Sequence, residues 1–209
     1  MTPTLYHAPM TCSMAVRIAA AEGDLDLHIE RVDLGTKALA SGGSLRDVNT
    51  LGQVSTLRLG TGEILTETSA CLLWVQAHAR NPAFHVTADD PVYFQMVRWL
   101  GFVATELHKQ IFRVVFYDEA TDAVKDRFRA LALDRFALLD DHLATRPFLT
   151  GDQFCAADAY LSWFFVLAAR AGVQTHDYAS LEAYRERVLA RPTVTAMIED
   201  DQTYREGQQ

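Results

Sequence analysis

The stretch LYHAPMTCSMAVRIAAAEG, Leu5 to Gly23, decides the fold class. Thr4 to His7 mixes apolar and polar residues over a strand's length, and Pro9 breaks the run. From Ser13 to Glu22 the pattern turns helical. Ala15, Val16, Ile18, Ala19 and Ala20 make an apolar face, and Gly23 is a good stop. A second strand follows in LHIERVDL, where Leu27, Ile29 and Val32 are apolar. A strand that crosses over through a helix to the next strand lies parallel to it, with a right-handed connection.

Working outward, Gly35 to Ser44 is polar and glycine-rich, with a short helix to Val48. Val54–Leu59 and Glu63–Leu65 read as two strands around Gly60-Thr61-Gly62, the pattern of a tight hairpin. Glu67–Ala79 reads as a helix with Ala70, Leu73 and Ala77 on one face, ended by Asn81-Pro82. This order predicts a small mixed sheet with helices on both faces. After a linker from Asn81 to Asp90, strand patterning disappears. Pro91 opens a long helix to about Phe116, with Met96, Leu100, Val103, Ala104, Leu107 and Ile111 at helical spacing. Glu119–Ala144 carries Phe128, Leu131, Phe136, Leu139 and Leu143. Ala156–Ala171 is apolar nearly all round, as a buried helix is. Leu181–Arg191 and Pro192–Tyr204 are shorter and amphipathic, and Arg205–Gln209 reads as a frayed polar tail. The second region is a helical bundle. The domains expected are therefore α/β over residues 1–80 and all-α over residues 91–209, joined by 81–90.

Composition narrows the function. With 209 residues, 49% hydrophobic and 22% charged, the chain is globular rather than disordered. A net charge of −8 argues against nucleic acid as a partner, because phosphate binding rests on Lys and Arg. No window approaches ~18 consecutive apolar residues, so no membrane span is expected. Met1–His7 lacks a basic segment with an apolar core behind it, so no secretory leader is read there. Cys12, Cys71 and Cys155 are few, odd in number and without CxxC spacing. They exclude a disulfide scaffold and suit a reducing cytoplasm. The histidines show no HxxxH or HExxH spacing, so no metal site is expected.

Three places can carry chemistry. Cys12 lies where the first strand hands over to the first helix, whose unpaired N–H groups and positive dipole end favour a thiolate. Ser13 offers a hydroxyl at the same helix start. The alternative for Cys12 is a small buried residue. Glu67-Thr68 precedes an apolar helical run; the pair either caps that helix or binds a ligand's ammonium and carboxylate groups. His108 and Lys109 point about 100° apart around a helix, so both can flank one cleft; the alternative for a lone histidine is a satisfied core or surface residue. Cys71 and Cys155 read as packing, and Trp74, Trp99 and Trp163 as core or interface.

Together these residues resemble the cytosolic glutathione transferases, and among them the bacterial beta class. The resemblance covers nearly the whole chain. It rests on LYHAPMTCS (Leu5–Ser13), DLGTK (Asp33–Lys37), N-x-x-G-Q-V (Asn49–Val54), LTETSA (Leu65–Ala70), ATELHK (Ala104–Lys109) and GDQFCAADAYL (Gly151–Leu161). It implies a thioredoxin-like domain followed by an all-helical domain, usually as a homodimer, with glutathione on the first domain and a hydrophobic co-substrate in the cleft between the two. By resemblance, Cys12 matches the active-site cysteine near the glutathione sulfur, and Ser13 its neighbour. Lys37, Gln53 and Val54 match glutathione contacts, Val54 through its backbone. Glu67 and Thr68 match the pair that holds the γ-glutamyl end, and His108 and Lys109 match helical-domain residues that reach the site. Phe112, Phe116 and Trp163 are candidates for the co-substrate cleft. The activity implied is glutathione conjugation or glutathione-dependent disulfide reduction.

Three departures stand out. The family has proline after the valine of GQV, in a cis bond; here the residue is Ser55. A cis bond before a non-proline residue costs ~2.5–4 kcal/mol against ~0.5–1 for proline, so a trans bond and a reshaped loop are expected. That feature favours a rival reading, a binding or regulatory protein that keeps the fold and has lost glutathione chemistry. His7 stands where the class often has tyrosine. Cys155 replaces the Ser or Thr of a helix capping box, and a thiol is a weak acceptor, so one capping bond is expected to be poorer by ~1 kcal/mol.

Overall fold

A computed structural model describes residues 1–207. β1 (Thr4–His7) leads into α1 (Ser13–Glu22) and back to β2 (His28–Arg31). A single 3₁₀ turn (Leu45–Asp47) precedes the hairpin β3 (Thr56–Arg58) and β4 (Ile64–Thr66), and α2 (Thr68–Ala77) completes the α/β part. The sheet order is β2-β1-β3-β4, with β1 and β2 parallel and the other two pairs antiparallel. Leu5 stands opposite Ile29 on one side and Leu57 on the other. Successive strand residues face opposite ways. Leu5 therefore joins the main core, whereas Tyr6 joins a small second cluster with Ala8, Val32 and Leu45.

Two expectations need correction here. α1 and α2 pack against each other on one face of the sheet, and the other face carries only the 3₁₀ turn and its flanking loop. Lys37, Gly42 and Gly43 all take positive φ, which no right-handed helix accommodates. The buried residues of α2 are Thr68, Cys71, Leu72, Val75 and Gln76; Ala70, Leu73 and Ala77 are half-buried. α2 is flanked by both α1 and α6, and those neighbours set its inward face.

In the helical part, α3 (Tyr93–Phe102) runs without a break through a π-helical stretch (Val103–Phe112) into α4 (Arg113–Val115). The expected single α-helix is thus widened in its middle, and such widening concentrates at functional sites. α5 (Asp122–Leu143), α6 (Ala156–Ala168), α7 (Ala179–Leu189) and α8 (Pro192–Glu206) follow. Arg205 belongs to α8 rather than to a frayed tail, and Gln208 and Gln209 lie outside the described residues. α6 packs against α1, α2, α3, α7 and the π stretch, and every residue in it but Val166 is buried.

The start of α6 is tied down by other means than a hydroxyl cap. Asp158 accepts the Cys155 N–H at 2.9 Å, and the Cys155 thiol donates to the same oxygen at 3.1 Å. The Ala156 N–H donates to Gln76 Oε1 on α2 at 2.5 Å. A first-turn amide of α6 is therefore satisfied from the α/β part.

Candidate functional site

The amino end of α1, the Gly52–Val54 loop and the long helical rod converge on one cleft with a cavity of about 370 Å³. Met10, Thr11 and Cys12 form one wall, and Lys37, Gln53 and Val54 a second. His108, Lys109, Phe112, Arg113 and Phe116 form the third, with Trp163 and Leu167 of α6 behind them. A small pocket shares Gln53, Val54 and Lys109 with this cleft and adds Ser55, Glu67 and Thr68. All but one of the site residues named from sequence therefore meet around one connected space.

Ser13 is the exception. It is fully buried, and its hydroxyl is engaged by His7 Nδ1 at 2.7 Å and Thr11 Oγ1 at 2.8 Å. It does not line the cleft.

Cys12 is nearly buried, and its thiol donates to the Val54 carbonyl at 3.3 Å. Burial raises its pKa; hydrogen bonds from Thr68 and Ser55 and the charge of Lys109 oppose this only in part. The net direction is upward, away from the thiolate expected at a helix start.

The Val54–Ser55 peptide is cis, which corrects the expected trans bond and reshaped loop. Both of its residues are engaged from the side: Val54 O by Cys12, and Ser55 Oγ by Thr68 Oγ1 at 3.3 Å. The groups that meet this loop come from Cys12 and Thr68, both distant in sequence.

Glu67 and Thr68 do not cap α2. Glu67 makes no side-chain cap bond, and the Thr68 hydroxyl lies against Ser55. Glu67 adopts φ 69° and Lys37 φ 66°, a left-handed conformation that non-glycine residues keep only where surroundings impose it.

His108 is neutral. Burial, helped by Lys109, lowers its pKa to about 3, and Nδ1 lies 2.7 Å from the Tyr160 hydroxyl. The ring sits edge-on to Trp163 at 4.6 Å. Trp163 is nearly buried, and its indole N–H donates to the Met10 carbonyl at 3.3 Å. Phe112 stacks on Phe164 at 4.4 Å, while Phe116 is exposed at the rim.

Behind the Met10–Cys12 wall lies a network that sequence reasoning missed. Asp201 of α8 is fully buried. It accepts from His7 Nε2 at 2.8 Å, from the Met10 N–H at 2.7 Å, and from Arg17 and Arg31 at 2.7 and 3.1 Å. Asp200 adds a second carboxylate to both arginines. In sequence His7 stands out only as a departure from tyrosine, and no local pattern links it to a residue 194 positions away. Among the described residues, no group of three or more His, Cys, Asp or Glu is placed to hold a metal ion. No described helix is long and apolar enough to cross a membrane.

No family model matches the chain. Solved structures do. A glutathione transferase from Methylococcus capsulatus str. Bath superposes with a TM-score of 0.90 at 32% identity, over 96% of this chain and 99% of that one. A sphingomonad glutathione S-transferase in complex with glutathione gives 0.89 at 29%, over 95% and 98%. A beta-class enzyme from Sphingomonas chungbukensis gives 0.87 at 29%, over 95% and 98%. Likeness of this extent, with the cleft lying between the α/β and helical parts, means that the chain belongs to the cytosolic glutathione transferase family and is most akin to its bacterial beta class.

Proposed function

We propose that the protein conjugates glutathione to a hydrophobic electrophile. Glutathione lies extended along the cleft, its sulfur beside Cys12 at the amino end of α1. The backbone of Val54, with Gln53 beside it, meets the cysteinyl part. Glu67 and Thr68 take the γ-glutamyl end, and Lys37 and Lys109 neutralise carboxylates. The sulfur gives its proton to solvent and, as the thiolate, forms a C–S bond with the electrophilic carbon of a co-substrate held by Phe112, Phe116 and Trp163, while the bond from that carbon to its leaving group breaks and the group departs with the electron pair. The observation that carries this reading is the meeting of Cys12, Val54, Thr68, His108 and Lys109, drawn from separate segments, around one space. Titration calorimetry with glutathione tests it, and no heat at millimolar ligand sinks it.

Ser55 was the residue that favoured a non-catalytic protein. Val54 nevertheless lines the cleft, so no observation now supports that rival. Conjugation is preferred over disulfide reduction because the Cys12 thiol is buried and donates to the Val54 carbonyl, and burial pushes its pKa up, all of which favour a hydrogen-bonding thiol over an attacking thiolate. A Cys12→Ala variant is expected to lose about tenfold or less in conjugation kcat/KM, the loss of one hydrogen bond of about 1 kcal/mol. A drop of several thousandfold would make the thiol a covalent participant and restore the reductase reading. The wild-type conjugation profile should carry no inflection from His108 between about pH 5 and 8, where an unperturbed histidine titrates. An inflection there that disappears in His108→Gln would contradict the buried, neutral ring.

The finer assignments share this footing. Residues 1–80 form the glutathione domain, 81–90 the linker and 91–209 the helical domain. The protein acts as a cytoplasmic homodimer in detoxification of reactive electrophiles. Leu51 and Phe94, at 64% and 75% exposure, are apolar side chains that a partner would cover. Sedimentation at micromolar concentration checks the dimer.

A further inference from the structure

The cleft carries charge of one sign. The whole chain has 27 Asp and Glu against 19 Lys and Arg, yet the cavity lining holds Lys37, Lys109 and Arg113 and no carboxylate. Glutathione, with two carboxylates, accounts for the two lysines at its end of the cleft. It does not account for Arg113, which follows Phe112 along the rod and shares the apolar end with Phe116, Trp163 and Leu167.

Among the described residues, seven of the sixteen arginines meet a carboxylate, and Arg113 is one of the nine that do not. A second guanidinium stands at the same rim: Arg170 lies over the Phe116 ring, 5.9 Å from its centroid. An unpaired arginine on an open surface is unremarkable, since water solvates it. Arg113 is exposed too, but it borders the end of the cavity where Phe112, Phe116 and Trp163 stand. A ligand filling that cavity displaces the water, and attraction between opposite charges grows several-fold as the surroundings become less polar. The guanidinium fork also suits a carboxylate in two-point contact.

We propose that the co-substrate is an aromatic electrophile bearing a carboxylate, its ring packed among Phe112, Phe116 and Trp163 and its carboxylate held by Arg113. This rests on the reading that the apolar end takes the co-substrate, and it names the class of that co-substrate.

The test uses two unreactive probes of one shape, para-nitrobenzoate and para-nitrobenzamide, titrated calorimetrically into the full chain without glutathione. The benzoate should bind about tenfold more tightly than the amide, as a charge-assisted contact implies. Arg113→Gln should abolish that gap while leaving amide binding unchanged, and Arg113→Lys should keep part of it. Equal binding of the two probes, or a gap that survives Arg113→Gln, overturns the proposal. The survival case would mean that the anion sits on Lys37 or Lys109 instead. A separate glutathione titration distinguishes the two failures. Absence of glutathione binding defeats the proposed conjugation, and the probe result still decides the anion site.

Discussion

An Asp201→Ala variant should lose about 3–5 kcal/mol of stability, the usual cost of removing one partner of a buried ion pair. The substitution strips the carboxylate from His7, Arg17 and Arg31 and leaves the Met10 N–H without its acceptor. Arg17 and Arg31 are themselves mostly covered, so water replaces the lost partner poorly. The damage also reaches the cleft, because Met10 lines it two residues from Cys12. Glutathione affinity should therefore fall together with stability. Asp201→Asn keeps an oxygen for the Met10 amide and loses the charge, so it should restore much of the affinity and less of the stability. Denaturant unfolding of both variants, each titrated with glutathione, separates these effects. Wild-type stability in Asp201→Ala would show that the network contributes nothing.

The same network sets the response to acid. Burial lowers the His7 pKa below 6.5; Asp201 pulls it up, and Arg17 and Arg31 push it further down. Burial raises the Asp201 pKa, but the His7 hydrogen bond and charge, the Met10 N–H and Arg17 outweigh it, and the net direction is below 3.8. For both groups the unfolded state binds protons first. His7's contribution is complete above pH 6.5 and is lost as pH falls from there through its folded pKa. Asp201's contribution is present above its unfolded pKa of 3.8 and is lost as pH falls through the lower folded value. Unfolding free energy should thus decline on acidification in two stages, and Asp201→Asn should lack the second. Stability that rises as pH drops below 6 would contradict the assignment of a neutral His7.

The second large effect is expected at Asp158. Its carboxylate is fully buried and accepts from the Leu149 and Cys155 amides at 3.0 and 2.9 Å, the Tyr184 hydroxyl at 2.7 Å and the Cys155 thiol. Asp158→Ala orphans two buried amides and a phenol, each worth about 1–3 kcal/mol when left unmet. A loss of about 4 kcal/mol corresponds to roughly 10 °C in Tm for a chain of this size. Tyr184→Phe removes only one of these bonds and should cost about 1 kcal/mol, since it leaves no orphan on the tyrosine side. Thermal unfolding checks both. If Asp158→Ala shifts Tm by no more than Tyr184→Phe, the carboxylate is not the hub described.

Sequence by itself determined the order of elements and most of the cleft. Leu5–Gly23 was legible as strand, loop and helix because strand alternation, Pro9 and Gly23 are local signals. The apolar run of α6 was legible as buried because no face of it is polar. Cys12, Thr68, His108 and Lys109 are legible from their places at helix starts and on a helix, Val54 only from the family resemblance, and the five line one space. Tertiary structure alone decided the rest, for one physical reason: the partners are far apart along the chain. The stripe of α2 is centred by α1 and α6, which its own periodicity does not encode. The Val54–Ser55 bond lies among groups from Cys12 and Thr68. The charge state of Cys12 and His108 is set by desolvation, a property of the folded interior rather than of any helix end. The link from His7 to Asp201 joins the two ends of the chain, and only folding brings that carboxylate behind the wall that holds Cys12.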